Sequence, residues 1–144
     1  MDKKRRPIGV FDSGAGGVSV LAQAKLRLPQ ENFIYYGDSA NAPYGTRTEE
    51  EIRDLSLACG DFLYQKGVKM IVIACNTATA CALEEIQREL PIPVIGVIDA
   101  AARVAGSVTK NNRVGVVGTT ATIESGMYEK ALRQYNEKAE VYGK

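Results

Sequence analysis

Residues 7–28 read PIGVFDSGAGGVSVLAQAKLRL and contain three local patterns in direct succession. Residues 7–11 form a short, mostly apolar run, which is typical of a buried strand. The glycine-rich residues 14–17 then predict a tight turn. Residues 18–28 place apolar side chains at helical intervals, and this pattern stops at Pro29. A strand, a turn and a helix in this order open a β-α unit, so the stretch favours an α/β fold.

The same alternation continues along the rest of the chain. Further strands are predicted at residues 33–36, 68–74, 94–98, 114–117 and 139–142. Further helices are predicted from residue 48 onward and at residues 76–90, 99–108 and 120–135. Thr48 and Glu51 have the spacing of a capping box, which supports the helix start at residue 48. Alternating helices and nearly continuous apolar strands predict a doubly wound parallel sheet.

The composition excludes several classes of function. The 144 residues are 45% hydrophobic and 24% charged, as in globular domains. Eighteen basic and seventeen acidic residues leave a net charge of +1, which argues against a nucleic-acid partner, since that would need a broad basic face. The apolar runs are shorter than the ~18 residues of a membrane span, so no membrane partner is expected. Three cysteines without a CxxC pair indicate reduced thiols and a cytoplasmic location.

The chain contains no histidine. This absence excludes Ser-His-Asp triads, histidine zinc sites and histidine general bases at once. This absence constrains the function more than any other feature of the composition.

The expected site lies at one edge of the predicted sheet, because ligands of open α/β sheets bind beyond the carboxyl ends of the strands. The segments at those ends are residues 12–14, 37–38, 75–77, 99 and 118–120. Together they contain carboxylates, one thiol and several hydroxyl and amide groups. No lysine or arginine in these segments would obviously hold a phosphate.

A dinucleotide site is one interpretation of this edge. Residues 14–19 read GAGGVS and approximate the GxGxxG fingerprint, with Ser19 in place of the third glycine. Asp38 follows about twenty residues later, where a ribose-binding acid belongs. Asp12 argues against this interpretation, because its charge would repel a pyrophosphate. The same carboxylate suits a substrate that carries an ammonium group.

Cys75 differs from the other two cysteines in its predicted surroundings. Cys59 and Cys81 lie inside helical stretches with core spacing, and we expect both to be small buried side chains. Cys75 instead ends a predicted strand and begins a predicted helix, and a helix N-terminus favours the thiolate. Asn76 and Thr77 add amide and hydroxyl donors that suit a carboxylate, although either could simply cap the helix. An amino acid is thus a chemically suitable substrate.

Four motifs, in order, resemble those of glutamate racemases. They are residues 9–17 (GVFDSGAGG), residues 36–45 (YGDSANAPYG), residues 74–78 (ACNTA) and residues 114–119 (VGVVGT), the last followed by Thr122. The resemblance extends from about Ile8 to the end of the chain.

The resemblance implies a cofactor-independent isomerase that interconverts L- and D-glutamate and supplies D-glutamate for bacterial peptidoglycan and the cell wall. It implies that Cys75 is the base acting on D-glutamate and that Asp12 assists it. The substrate-binding residues that it implies are Asp12, Ser13, Pro43, Tyr44, Gly45, Asn76, Thr77, Thr119 and Thr122. It implies no metal and no cofactor, and the expected partner is the small molecule glutamate.

The chain also departs from the family pattern. Family members are close to twice as long, with two related α/β lobes, and their second catalytic cysteine lies in a Cys-Thr-His segment that this sequence lacks. We therefore expect residues 1–98 to form a first lobe with one catalytic cysteine and residues 99–144 to begin a truncated second lobe. Alternatives are an aspartate racemase-like enzyme and a non-catalytic amino-acid-binding fragment. A homodimer is a candidate assembly for a lobe left unfinished.

Overall fold

The computed structural model describes residues 5–144. Its strands are β1 (Ile8–Asp12), β2 (Phe33–Gly37), β3 (Met70–Ile73), β4 (Val94–Gly96), β5 (Arg113–Val116) and β6 (Glu140–Gly143). Its helices are α1 (Val18–Arg27), α2 (Glu49–Gln65), α3 (Asn76–Glu89), α4 (Val97–Val108), α5 (Thr120–Glu124) and α6 (Met127–Tyr135), and Tyr44–Thr46 forms a short 3₁₀ turn. None of the helices within residues 5–144 is long and apolar enough to cross a membrane.

The first four strands form one parallel sheet in the order β2-β1-β3-β4. Ile8 pairs with Phe33 on one side and with Met70 on the other, so the central strand β1 has its neighbours in register. The predicted α/β fold with a parallel sheet is confirmed. Because all four strands run the same way, their carboxyl ends meet at one edge.

Helices cover both faces of this sheet. Phe11, Ile71 and Ile73 point into a core that α2 and α3 close. Ile8 and Val10 point to the opposite face, where α1 packs through Val20 and Leu21. The alternation of side chains along each strand produces these two cores, as a doubly wound arrangement requires.

The last two strands form a separate parallel sheet. Arg113 of β5 pairs with Glu140 of β6, and Val114 and Val141 pack against α4 and α6. The division of the chain into lobes at residues 98 and 99 stays a prediction.

The predicted helix at residues 120–135 is wrong, because two helices occupy this stretch. Gly126 adopts a left-handed backbone with φ of 65°, which an α-helix cannot continue through. The helix α5 therefore ends at Glu124, and α6 begins in a new direction at Met127. The helix α4 also begins earlier than predicted, at Val97, since β4 ends at Gly96.

A buried polar cluster fixes the long loop between β2 and α2. The Tyr44 hydroxyl donates a hydrogen bond of 2.7 Å to Asp38 Oδ2, and the amide of Asn41 donates to both oxygens of the same carboxylate. The Cys59 sulfur lies 3.6 Å from the Tyr44 oxygen. Asp38, Tyr44 and Cys59 are all buried. The loop is therefore anchored to α2 through these side chains.

Burial also changes the acidity of this cluster. It raises the pKa of the Cys59 thiol to about 11. Burial, together with the hydrogen bond to Asp38, raises the pKa of Tyr44 well above its ordinary value. Cys59 is thus a neutral thiol within the main core, as predicted, and Cys81 is half-buried against the same core.

Removing the helix cap of α2 tests the local structure. The Thr48 side chain accepts a hydrogen bond from the Glu51 N–H, and the Glu51 carboxylate accepts one from the Thr48 N–H, so the predicted capping box is confirmed. Thr48→Ala should lower the free energy of unfolding by about 1 kcal/mol, measured by urea denaturation. Thr46→Ala, an exposed change two residues away, is the matched control and should cost less; an equal cost would contradict the assignment.

Because the Cys59 thiol and the Tyr44 phenol are buried, we predict that the protein loses stability at alkaline pH. Both have a higher pKa in the folded chain than in the unfolded chain, so the unfolded chain loses their protons first. The contribution of these two groups to the free energy of unfolding should therefore be constant below pH 8.5. It should decrease as the pH rises from about 9 towards 11.

Cys59→Ala should lower stability at pH 7 by about 1 kcal/mol, the usual size for a core change. It should also make the fall above pH 9 shallower, which urea denaturation at pH 7, 9, 10 and 10.5 would measure. Tyr64→Phe, at an exposed tyrosine, is the control and should keep the wild-type slope. An unchanged slope in Cys59→Ala would refute the prediction.

Candidate active site

A cavity of about 530 Å³ opens at the carboxyl edge of the first sheet. It lies between that edge and the segment that leads from β5 into α6. Six of the predicted site residues line it, namely Asp12, Cys75, Asn76, Thr77, Thr119 and Thr122. The fold thus gathers residues from three distant parts of the sequence around one space.

Cys75 holds the start of α3. Its backbone is extended, and its sulfur accepts a hydrogen bond of 3.4 Å from the Ala78 N–H. The side chain of Cys75, and not that of Asn76 or Thr77, therefore caps the helix. The sulfur also lies 3.5 Å from Ser13 Oγ, to which the thiol donates. The thiol is 7% exposed and faces the cavity. The sulfur therefore lies at the N-terminus of α3, between the Ala78 N–H and the Ser13 hydroxyl.

Asp12 organises the glycine-rich turn that follows β1. Its Oδ2 accepts hydrogen bonds from the N–H groups of Gly14 and Gly17, at 3.2 and 3.1 Å. From the other side, the Tyr35 hydroxyl donates to the Gly14 carbonyl at 2.9 Å. Burial, followed by the nearby charges of Asp12 and Cys75, raises the pKa of Tyr35, so this donor keeps its proton. The turn is therefore held rigidly beside the cavity.

These contacts do not fit the dinucleotide interpretation. The Gly14 and Gly17 amides that would bind a pyrophosphate already donate to Asp12. Asp38, the expected ribose ligand, is 5% exposed and is engaged by Tyr44 and by Asn41.

Three threonine hydroxyls form a closed group in the cavity wall. Thr77 Oγ1 lies 2.9 Å from Thr119 Oγ1 and 3.4 Å from Thr122 Oγ1, and the last two lie 3.0 Å apart. Thr119 also caps α5 by accepting from the Thr122 N–H. This hydroxyl trio joins the start of α3 to the start of α5. It offers donors that suit a carboxylate at two neighbouring helix starts.

The predicted residues Pro43, Tyr44 and Gly45 stand behind this trio. They are not among the described residues that line the cavity, and the Tyr44 ring is turned into the core. Gly45 lies so close to Thr119 that a Cβ atom would come within 2.5 Å of the threonine methyl group. Glycine is needed there because the loop and the trio are in direct contact.

Asp99 was expected at this edge, but the structure places it elsewhere. It lies exposed in the first turn of α4, and both of its oxygens accept from the Tyr135 hydroxyl, at 2.8 and 2.9 Å. The reason is that α4 begins two residues earlier than predicted, so Asp99 belongs to the helix and not to the strand end.

Sequence reasoning missed Tyr128. Its hydroxyl donates a hydrogen bond of 2.6 Å to Asn76 Oδ1, and its ring lines the cavity. The residue that could have indicated this position in the sequence is Gly126. It separates α5 from α6, so that α6 takes a new direction and places Tyr128 beside α3. A single helix through this stretch conceals that change of direction.

The cavity lining contains a single charged side chain among the described residues. Among the described residues that line it, Asp12 is the one carboxylate, and lysine and arginine are absent. Within residues 5–144, no three side chains of the metal-binding types cluster closely enough to hold an ion. The lining combines a carboxylate, which suits a cationic group, with hydroxyls, which suit an anionic group, and a thiol.

A family model and individual relatives assign the chain to the same family. The model of the Asp/Glu/Hydantoin racemase family matches residues 18–144. The chain is 57% identical to the glutamate racemase of Exiguobacterium sibiricum over 128 residues, which cover 89% of this chain and 47% of that protein. The chain thus spans about half the length of this relative.

Solved structures agree with that match. Glutamate racemase isoform RacE1 from Bacillus anthracis superposes with a TM-score of 0.93 at 45% identity, covering 97% of this chain and 53% of the other. The glutamate racemase of Francisella tularensis, solved in complex with D-glutamate, superposes with a TM-score of 0.88 at 41% identity, covering 96% of this chain and 52% of the other. From its sequence and its fold alike, the chain belongs to the Asp/Glu/Hydantoin racemase family.

Proposed function

We propose that the chain contributes one half of a glutamate racemase active site, in which Cys75 exchanges the α-proton of D-glutamate. The observation that carries this proposal is the position of the Cys75 thiol, at a helix start and in the same cavity as Asp12 and the hydroxyl trio. The relatives described above are named glutamate racemase, and one of them was solved with D-glutamate.

The substrate fits the polarity of the cavity. The ammonium group of glutamate would lie towards Asp12, whose carboxylate is the one charged acid among the described lining residues. A carboxylate of the substrate would accept from Thr77, Thr119 or Asn76, near the starts of α3 and α5. Ser13 would act at the thiol, since it already contacts the sulfur. Pro43, Tyr44 and Gly45 are not among the described lining residues, and Gly45 would act indirectly, through its contact with Thr119.

The chemical step is a proton transfer. The Cys75 thiolate takes the α-proton, so the Cα–H bond breaks, an S–H bond forms and the electron pair stays on the substrate as a carbanion. In the reverse direction the thiol returns the proton to the same face. The Ala78 N–H at the start of α3 already donates to the sulfur and would hold it in place during the transfer. Asp12 assists by holding the turn and the substrate ammonium group in place.

Racemisation needs a second acid on the opposite face of the α-carbon. Cys59 lies in the main core with a raised pKa, and Cys81 lies outside the cavity lining, so neither serves as that acid. The second thiol of the proposed reaction therefore comes from outside residues 5–144. We propose that the whole protein is a glutamate racemase in the cytoplasm. Its product would supply D-glutamate for peptidoglycan.

Two other functions make different predictions. An aspartate racemase-like enzyme would use the same thiol chemistry on a shorter substrate, and the names of the relatives favour glutamate. A non-catalytic binding fragment would hold an amino acid without proton exchange. Assembly as a homodimer stays a prediction.

Proton exchange in heavy water tests the proposal. The chain is incubated with D-glutamate or with L-glutamate, and proton NMR follows the α-proton signal. We expect exchange of D-glutamate, and we expect Cys75→Ala to slow it at least about 100-fold, the usual contribution of a positioned acid or base. Cys81→Ala, at a half-buried cysteine outside the cavity, is the matched control and should exchange at the wild-type rate.

Each alternative has its own outcome in this experiment. Faster exchange of D-aspartate than of D-glutamate would favour the aspartate enzyme. Saturable binding of D-glutamate without exchange, unaffected by Cys75→Ala, would favour the binding fragment. Exchange that survives Cys75→Ala would refute the assigned base.

A further inference from the structure

The hydrogen bond between Tyr128 and Asn76 joins two residues that are 52 positions apart in the sequence. Tyr128 lies in the first turn of α6, and Asn76 is the first residue of α3, directly after Cys75. The oxygen atoms of the two side chains are 2.6 Å apart, and both residues line the cavity. The bond therefore acts inside the proposed site.

This bond fixes the orientation of the Asn76 side-chain amide relative to Tyr128. The tyrosine hydroxyl donates, so the amide must present Oδ1 to it, and the NH₂ group points away from the tyrosine. Within residues 5–144, no second hydrogen bond holds the Asn76 side chain, which is exposed. Without Tyr128 the amide would rotate freely, and it would offer its oxygen to the substrate as often as its NH₂ group.

Tyr128 is itself held in one place. Its ring packs against the core formed by α4 and α6, which includes Ile98 and Leu132. Burial raises the pKa of Tyr128, so its hydroxyl stays protonated as a donor. The left-handed Gly126 sets the direction of α6 at this point.

We infer that Tyr128 is a positioning residue that orients the Asn76 amide so that its NH₂ group binds a carboxylate of the substrate. The orientation of the amide matters because its two N–H donors attract a carboxylate, whereas its oxygen would repel one. The inference rests on the proposed function, since the carboxylate in question is that of glutamate.

The test compares Tyr128→Phe with Tyr135→Phe. Both changes remove one hydroxyl from α6, and both hydroxyls donate to a side-chain oxygen, but Tyr135 donates to the exposed Asp99 outside the cavity lining. The first measurement is the ¹H–¹⁵N signal pair of the Asn76 side-chain amide, assigned by its loss in Asn76→Asp.

We expect this signal pair to move to the positions of a freely rotating asparagine in Tyr128→Phe and to stay unchanged in Tyr135→Phe. This measurement needs no ligand. Identical Asn76 signals in wild type and Tyr128→Phe would overturn the inference, whether or not the chain binds glutamate.

The second measurement is the affinity for D-glutamate, followed by NMR titration. Tyr128→Phe should weaken binding about three- to tenfold, the value of one hydrogen bond, and Tyr135→Phe should leave binding unchanged. Amide signals that move while the affinity stays at the wild-type value would overturn the carboxylate role. A wild-type chain that does not bind D-glutamate would count against the proposed function, and the amide signals would still decide whether Tyr128 orients Asn76.

Discussion

The parallel pairing of β1 with β3 is the constraint on which the site depends. Phe11 pairs with Ile73, and the Ala74 N–H donates to the Phe11 carbonyl at 2.8 Å, so the two strands end at the same height. Cys75 therefore leaves the sheet beside Ser13, and Asp12 is the residue directly before Ser13. A slip of one residue in this register would turn one of the two strands over and separate the carboxylate from the thiol.

Two polar clusters then connect the loops around this edge. The cluster of Asp38, Tyr44 and Cys59 lies in the core and anchors the loop after β2, whereas the hydroxyl trio lies in the cavity wall. Gly45 joins them, because it follows Tyr44 and touches Thr119. A single tightly packed residue therefore separates the core cluster from the cavity wall.

Features that depend on neighbouring residues could be predicted from the sequence. The capping box needs two residues three positions apart, and the thiol at a helix start needs only the boundary between an apolar run and a helical pattern. The predicted position of Asp99 is wrong because the predicted start of α4 lies two residues after the observed start at Val97. The contact of Tyr128 with Asn76 could not be predicted, since it depends on the backbone direction after Gly126 and on the packing of α6 against α4.

The three threonine hydroxyls have a consequence for how an anion enters the cavity. Each hydroxyl carries one proton and can both donate and accept, so the protons of the trio can point around the ring in either sense. When a carboxylate arrives, one O–H bond rotates towards it and the remaining two hydroxyls still satisfy each other. Under the proposed function, the trio would therefore receive a carboxylate of the substrate with little reorganisation, as preorganised binding sites do.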